Sequence, residues 1–232
     1  MSEPVEPVNQ WEERLRSALN RDVTPQRAAQ RRVGSAMREV IEHLVATRAP
    51  AAVLDAAAAT LEEMAATFTA HPQGRLMEGF AESANAGDPQ AFFDNSPIIG
   101  RANPLAPPVR LEPAGRQVIG QVTYGSAYEG PPGCVHGGYI AAAFDEVLGM
   151  VQSLTGHPGM TGTLTVRYRR PTPLHVPLRF EGEIDRVDGR KIYTTGTLWH
   201  GQLLTAEAEA VFISVDFERI AELYAKRERS PS

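Results

Sequence analysis

His136, Gly137 and Gly138 stand nine, eight and seven residues ahead of Asp145 in the stretch EGPPGCVHGGYIAAAFDEVLG, residues 129–149. A glycine pair that opens a helix leaves backbone N–H groups unpaired at the positive end of the helix dipole, and with no Cβ in the way a ligand can come close. That is a half-site for negatively charged oxygen. Read as structure alone, HGG only starts a helix in a tight corner. Asp145 and Glu146 pose the complementary question, because carboxylates in an apolar helix are pushed toward the neutral form unless hydrogen bonds hold the charge. On an ideal helix Asp145 lies about 13 Å along the axis from His136, so one chain struggles to join the two groups. Glu146 is turned about 100° from Asp145, and both carboxylates cannot aim at one point. Cys134 precedes His136 by two residues, a spacing that rarely gives a usable Cys–His pair, and it reads as a small buried thiol.

The elements that must position these groups are legible from periodicity. Ile140, Phe144, Val147, Leu148 and Val151 make the run from about His136 to Leu154 a helix with little side for water. Before it, Val118, Gly120, Val122 and Tyr124 suggest a strand. After it, Leu164, Val166 and Tyr168 alternate with Thr163, Thr165 and Arg167, a parity that sets Thr161 with the threonines rather than with the apolar face. PLRFEGEIDRV, RKIYTTGTLWH and LLTAEAEAVFISV follow, joined by turns at Asp188-Gly189 and Gly201-Gln202. The order β-α-β-β-β-β predicts an α+β domain in which an antiparallel sheet curls around the helix.

Upstream, Thr24 caps a helix over 24–47 that begins with Pro25. A second helix over 51–70 is expected to turn Val53, Leu54, Leu61, Met64 and Phe68 inward, making a helical hairpin. Arg27, Arg31, Arg32 and Arg38 read as a solvated face. The prolines between His71 and Pro113 mark a linker that wraps along the next domain, with Phe92, Phe93, Ile98, Ile99 and Leu105 needing burial. The expected divisions are therefore an N-terminal helical region at 1–70, a Pro-rich linker at 71–113, a sheet-and-helix domain at 114–217 and a charged tail at 218–232.

A chain of 232 residues with 42% hydrophobic residues can bury a sizeable core, and its formal net charge of -5 argues against bulk nucleic-acid binding. One cysteine cannot close an internal disulfide, and the acidic start MSEPVEPVNQWEERL lacks the pattern of a secretory signal. No run reaches the roughly 18 apolar residues of a membrane span, so a cytoplasmic protein is expected. The histidines show no metal-ligand spacing, and no metal is expected.

HGG, an Asp nine residues after the His, a Thr sixteen residues further at Thr161, and YRRP seven residues beyond that resemble the PaaI-like and THEM-type family of hotdog-fold acyl-coenzyme A thioesterases, over about residues 100–216. The resemblance implies a hotdog fold, about five to six antiparallel strands around one long central helix, with the helical hairpin as an N-terminal extension. It also implies an acyl-CoA substrate, no cofactor beyond the coenzyme A of that substrate, and a homodimer or a dimer of dimers in which the helix start of one subunit meets the carboxylate of the other. Asp145 is then the general base or the nucleophile, the Gly137 N–H the oxyanion donor with help from His136 or Gly138, and Thr161 the hydroxyl that orients water or carboxylate. Arg167, Arg169, Arg170 and Lys191, with Arg190 beside it, are candidates for the coenzyme A phosphates. Glu146 falls to a surface or structural pair. Some relatives place a side-chain amide before HGG, where this chain has GPPGCV. A non-catalytic acyl-CoA-binding or scaffold protein is the alternative. An enoyl-CoA hydratase is the lesser one, because it wants an Asp followed by a His and here the His comes first.

Overall fold

The computed structural model describes residues 22–72, 93–157 and 159–215, with Glu13 and Ser17 besides. The charged tail expected at 218–232 and the burial expected of Phe92 lie outside the described residues. Among those described, the elements are α1 (Pro25–Ala46), α2 (Ala51–Thr69), β1 (Arg110–Ala114), β2 (Gln117–Val122), α3 (Gly137–Ser153), β3 (Gly159–Tyr168), β4 (Leu178–Asp188), β5 (Lys191–His200) and β6 (Leu203–Ser214). The strands form one antiparallel sheet in the order β1-β2-β4-β5-β6-β3. No helix among the described residues is long and apolar enough to cross a membrane.

The sheet wraps α3 because its inner face lacks side chains where the helix comes closest. Gly182 of β4 lies opposite Gly196 of β5, which lies opposite Ala208 of β6. A Cβ on Gly182 would stand 2.8 Å from Val151 Cγ2, and one on Gly196 would stand 3.1 Å from Leu148 Cδ2. Into that trough α3 sets Ala143, Phe144, Val147, Leu148 and Val151, all fully buried. Phe144 meets Phe180 edge to face at 5.0 Å between centroids.

The sheet begins earlier than expected, at Arg110 inside the region read as linker. Pro113 disguised this strand, but β1 is an edge strand, where a residue without an N–H is tolerated. Upstream of it Phe93 and Ile99 are buried as expected, whereas Leu105 is exposed.

α1 starts as expected, with Thr24 Oγ1 accepting from the Arg27 N–H at 3.2 Å and Pro25 in the first turn. Its docking was not foreseen. Gly34 is its buried residue, and a Cβ there would stand 2.5 Å from the Ala102 carbonyl oxygen. Arg31 donates to Asp94 at 2.6 Å, and Arg38 donates to the Asn103 and Arg101 carbonyls at 2.9 and 3.1 Å. The basic run is thus no solvated face, although Arg32 is exposed. Glu42 accepts from the Ser126 and Ala127 amides at 2.8 and 3.1 Å.

The inward face expected for α2 is overturned. Every residue of that helix is exposed, Val53, Leu54, Leu61, Met64 and Phe68 included. Val40, Leu44 and Val45 of α1 are exposed as well, so the two helices bury no common face. An apolar stripe shows which side a helix can bury, and the partner that buries it is a tertiary matter.

Candidate active site

His136 caps α3 with its own ring, as Nδ1 accepts from the Gly138 N–H at 3.0 Å. With Nδ1 accepting, a neutral imidazole carries its proton on Nε2. The Gly138 amide is therefore engaged, while the Gly137 N–H makes no hydrogen bond among the described residues. The Gly137 carbonyl is held by the Tyr168 hydroxyl, which donates at 2.7 Å from the end of β3. A Cβ on Gly137 would stand 3.2 Å from that tyrosine. Gly130 leaves room for His136 on the loop side, since a Cβ there would come within 2.8 Å of the histidine Cα. His136 itself is exposed and Cys134 is half-buried.

Asp145, half-buried, accepts a hydrogen bond at 2.8 Å from the Thr161 hydroxyl. Strand parity had put Thr161 on the other face, and the reason for the reversal is local. The pairing of β3 with β6 slips between Thr161 and Thr163, leaving Thr161 opposite Phe212 and Thr163 opposite Val211. This irregularity at Gly162 breaks the alternation, so Thr161 shares the face of Leu164 rather than that of Thr163.

Glu146 meets a different partner. Its Oε1 accepts from the Ser96 hydroxyl at 2.7 Å. Burial pushes its carboxyl above the usual glutamate range; the Ser96 hydrogen bond opposes this and the neighbouring Asp145 charge adds to it.

The cations expected for phosphates are not gathered in one place. Arg167 pairs with Glu209 at 2.6 Å, Arg169 pairs with Glu207, and Arg170 donates to the Leu204 carbonyl at 3.0 Å. These three flank Tyr168 and so lie beside the start of α3. Lys191 lies opposite Ile213 of β6 whereas Arg167 lies opposite Glu207, a separation of about 20 Å along the strand. Two residues of this region escaped sequence reasoning. Tyr168 stood inside the quoted YRRP but was weighed only as a strand residue, and nothing marked Ser96 as the partner of a carboxylate fifty positions away.

Residues 132–207 match the thioesterase superfamily. Acyl-coenzyme A thioesterase THEM5 of Homo sapiens is 26% identical over 147 residues, which is 62% of this chain and 58% of the human protein. Acyl-coenzyme A thioesterase THEM4 of Xenopus laevis is 33% identical over 104 residues, 44% of this chain and 47% of the frog protein. The chain thus spans well under two thirds of these curated relatives. A crystal structure of a thioesterase superfamily protein is 36% identical with a TM-score of 0.70, over 79% of this chain and 94% of that one. The six-stranded sheet on α3 is accordingly the hotdog fold, and the chain belongs to the thioesterase superfamily.

Proposed function

We propose that the protein is an acyl-coenzyme A thioesterase that works as a homodimer and hydrolyses an acyl-CoA to the free acid and coenzyme A. The observation that carries this reading is the 2.8 Å hydrogen bond from Thr161 to Asp145, which holds one carboxylate oxygen and leaves the group half-exposed for reaction. As a base, Asp145 takes a proton from water, whose oxygen attacks the thioester carbonyl. As a nucleophile, it attacks the carbonyl itself and forms a mixed anhydride that water opens. In both routes the carbonyl oxygen becomes negative, the Gly137 N–H stabilises it, and the C–S bond breaks to release the thiolate of coenzyme A. His136, through its capping bond, keeps the Gly138 amide engaged and the first turn in shape.

Asp145 and Gly137 lie about 12 Å apart along one helix, so the reading needs two chains related by a two-fold axis. Two surfaces support this. β3 is an outer strand whose free edge has no partner strand among the described residues, and Gly138, Ala142, Asp145 and Gly149 form a partly exposed seam of small residues along α3. The test is hydrolysis of a panel of acyl-CoAs by the wild type and Asp145→Asn, with size measured in the same buffer. Equal rates for the two proteins, or full activity in a monomer, would overturn the proposal. An acyl adduct on Asp145 in quenched mass spectra would mark the nucleophilic route.

A further inference from the structure

α1 and the segment from 99 to 110 enclose an open cavity of about 390 Å³ whose charged wall is Arg31, Arg38, Arg101 and Arg110. Among the described residues the carboxylate that pairs with this wall is Asp94, already shared by Arg31 at 2.6 Å and Arg27 at 3.3 Å. Arg38 spends its hydrogen bonds on neutral carbonyls and has no ion pair among the described residues, while the Tyr128 hydroxyl and the exposed Glu39, which act on its charge, stand outside the cavity lining. The guanidinium groups of Arg101 and Arg110 have no ion pair among the described residues. Burial, and then the positive charges of Arg31 and Arg110, lower the Arg101 pKa, with Asp94 opposing. The arginines of the sheet show the contrast, for Arg167, Arg169 and Arg179 each have a glutamate.

Like charges that converge without a counter-charge favour an anion, and the planar fork of arginine matches phosphate oxygens. Three guanidinium groups without an ion pair among the described residues suit an anion of more than one charge. The volume lies within the range of small-molecule sites and exceeds the need of a single phosphate, and Ile99 and Val109 supply an apolar wall. We infer that this cavity binds a phosphorylated ligand of nucleotide size, held by Arg38, Arg101 and Arg110. The nucleotide end of a coenzyme A substrate and a separate nucleotide carry the same chemistry. The inference itself does not depend on the hydrolysis proposed above.

The experiment is calorimetric titration of the full chain with adenosine 3',5'-bisphosphate, using adenosine as the uncharged control. Saturable binding of the bisphosphate alone is expected, weakened about tenfold or more in Arg101→Gln/Arg110→Gln and unchanged in Arg186→Gln, whose partner is Asp185. Arg110→Gln by itself removes no bond within the described chain and serves if the double variant is unstable; about threefold weaker binding is expected of it. Absence of saturable binding, or equal affinity in the variants, would overturn the inference. A parallel titration with coenzyme A identifies the source. If coenzyme A displaces the bisphosphate and loses the same factor in the variant, the site holds the substrate's nucleotide end. If it does neither, the site takes a separate nucleotide. Because binding is read directly in each arm, an inactive enzyme leaves the result intact.

Discussion

Asp145 and Glu146 are consecutive residues of the same charge, and the two flanks of α3 treat them in opposite ways. Toward β3, Asp145 takes a hydroxyl hydrogen bond at 2.8 Å from Thr161, which is itself exposed. Toward the segment near residue 96, Glu146 takes one at 2.7 Å from Ser96, which is buried and also accepts from the Ile98 and Ile99 amides at 3.1 and 3.2 Å. The hydrogen bonds are alike and the surroundings are not. One flank is closed by the chain's own loop, and its carboxylate is spent on holding that loop. The other stays open, and its carboxylate remains available to an outside atom.

The widest separation of the two flanks is expected in turnover. Asp145→Asn should lower kcat by about 10²- to 10⁴-fold on acyl-CoA, while Glu146→Gln should leave kcat near the wild-type value. A large loss in the second variant would erase the distinction. Gly182→Val attacks both flanks together, since its side chain would drive against Val151 and lift α3 from the sheet. A loss of about 1–3 kcal/mol in chemical denaturation is expected, and an unchanged midpoint would contradict the close packing.

The hydroxyl donors make a finer comparison. Thr161→Ala should reduce kcat/KM about tenfold with little effect on stability, because it removes one bond to a charged acceptor. Ser96→Ala should do the reverse, costing about 1–3 kcal/mol of stability as Glu146 and two amides lose their partner, with activity preserved.

The smallest expected effect is one of pH. The folded-state pKa of Glu146 is raised, so its burial is tolerated while it is protonated and its contribution to stability is lost as pH rises through that value. The stability of the wild type relative to Glu146→Gln should therefore fall from the ordinary glutamate range, near about 4.3, toward neutrality. Glu42 carries the opposite sign. Burial raises its pKa, but hydrogen bonds from Ser126 and Ala127 outweigh that and hold it low, so the docking of α1 should weaken as the solution is acidified below the ordinary range.

Much of this architecture was legible because it is written in short-range patterns. The cap at Thr24, the turns at Gly189 and Gly201, the alternation of β4 to β6 and the apolar girth of α3 depend on neighbours a few residues away. Three misreadings share one cause, which is that a contact between distant residues overrode a local rule, whereas the stripe of α2 misled because no distant contact among the described residues came to cover it. An irregularity at Gly162 turned Thr161 toward Asp145 against its parity, and Pro113 hid an edge strand that sheet position makes permissible. The arginines of α1 resembled a solvated face until Asp94 and the carbonyls of 101 and 103 came to meet them.

By itself, then, the sequence determined one long apolar helix, five of the strands around it, a glycine start at Gly137 and Gly138, and two carboxylates too far from that start to act with it in one chain. Helical rise and strand period are properties of the backbone, so residue spacing suffices to state them. Which carboxylate is covered and which left open, and which arginines are neutralised and which converge on a cavity, was decided only by tertiary structure. The electrostatics of a side chain depend on what folds against it, and Ser96, Asp94 and Glu209 each stand more than forty residues from the group they engage.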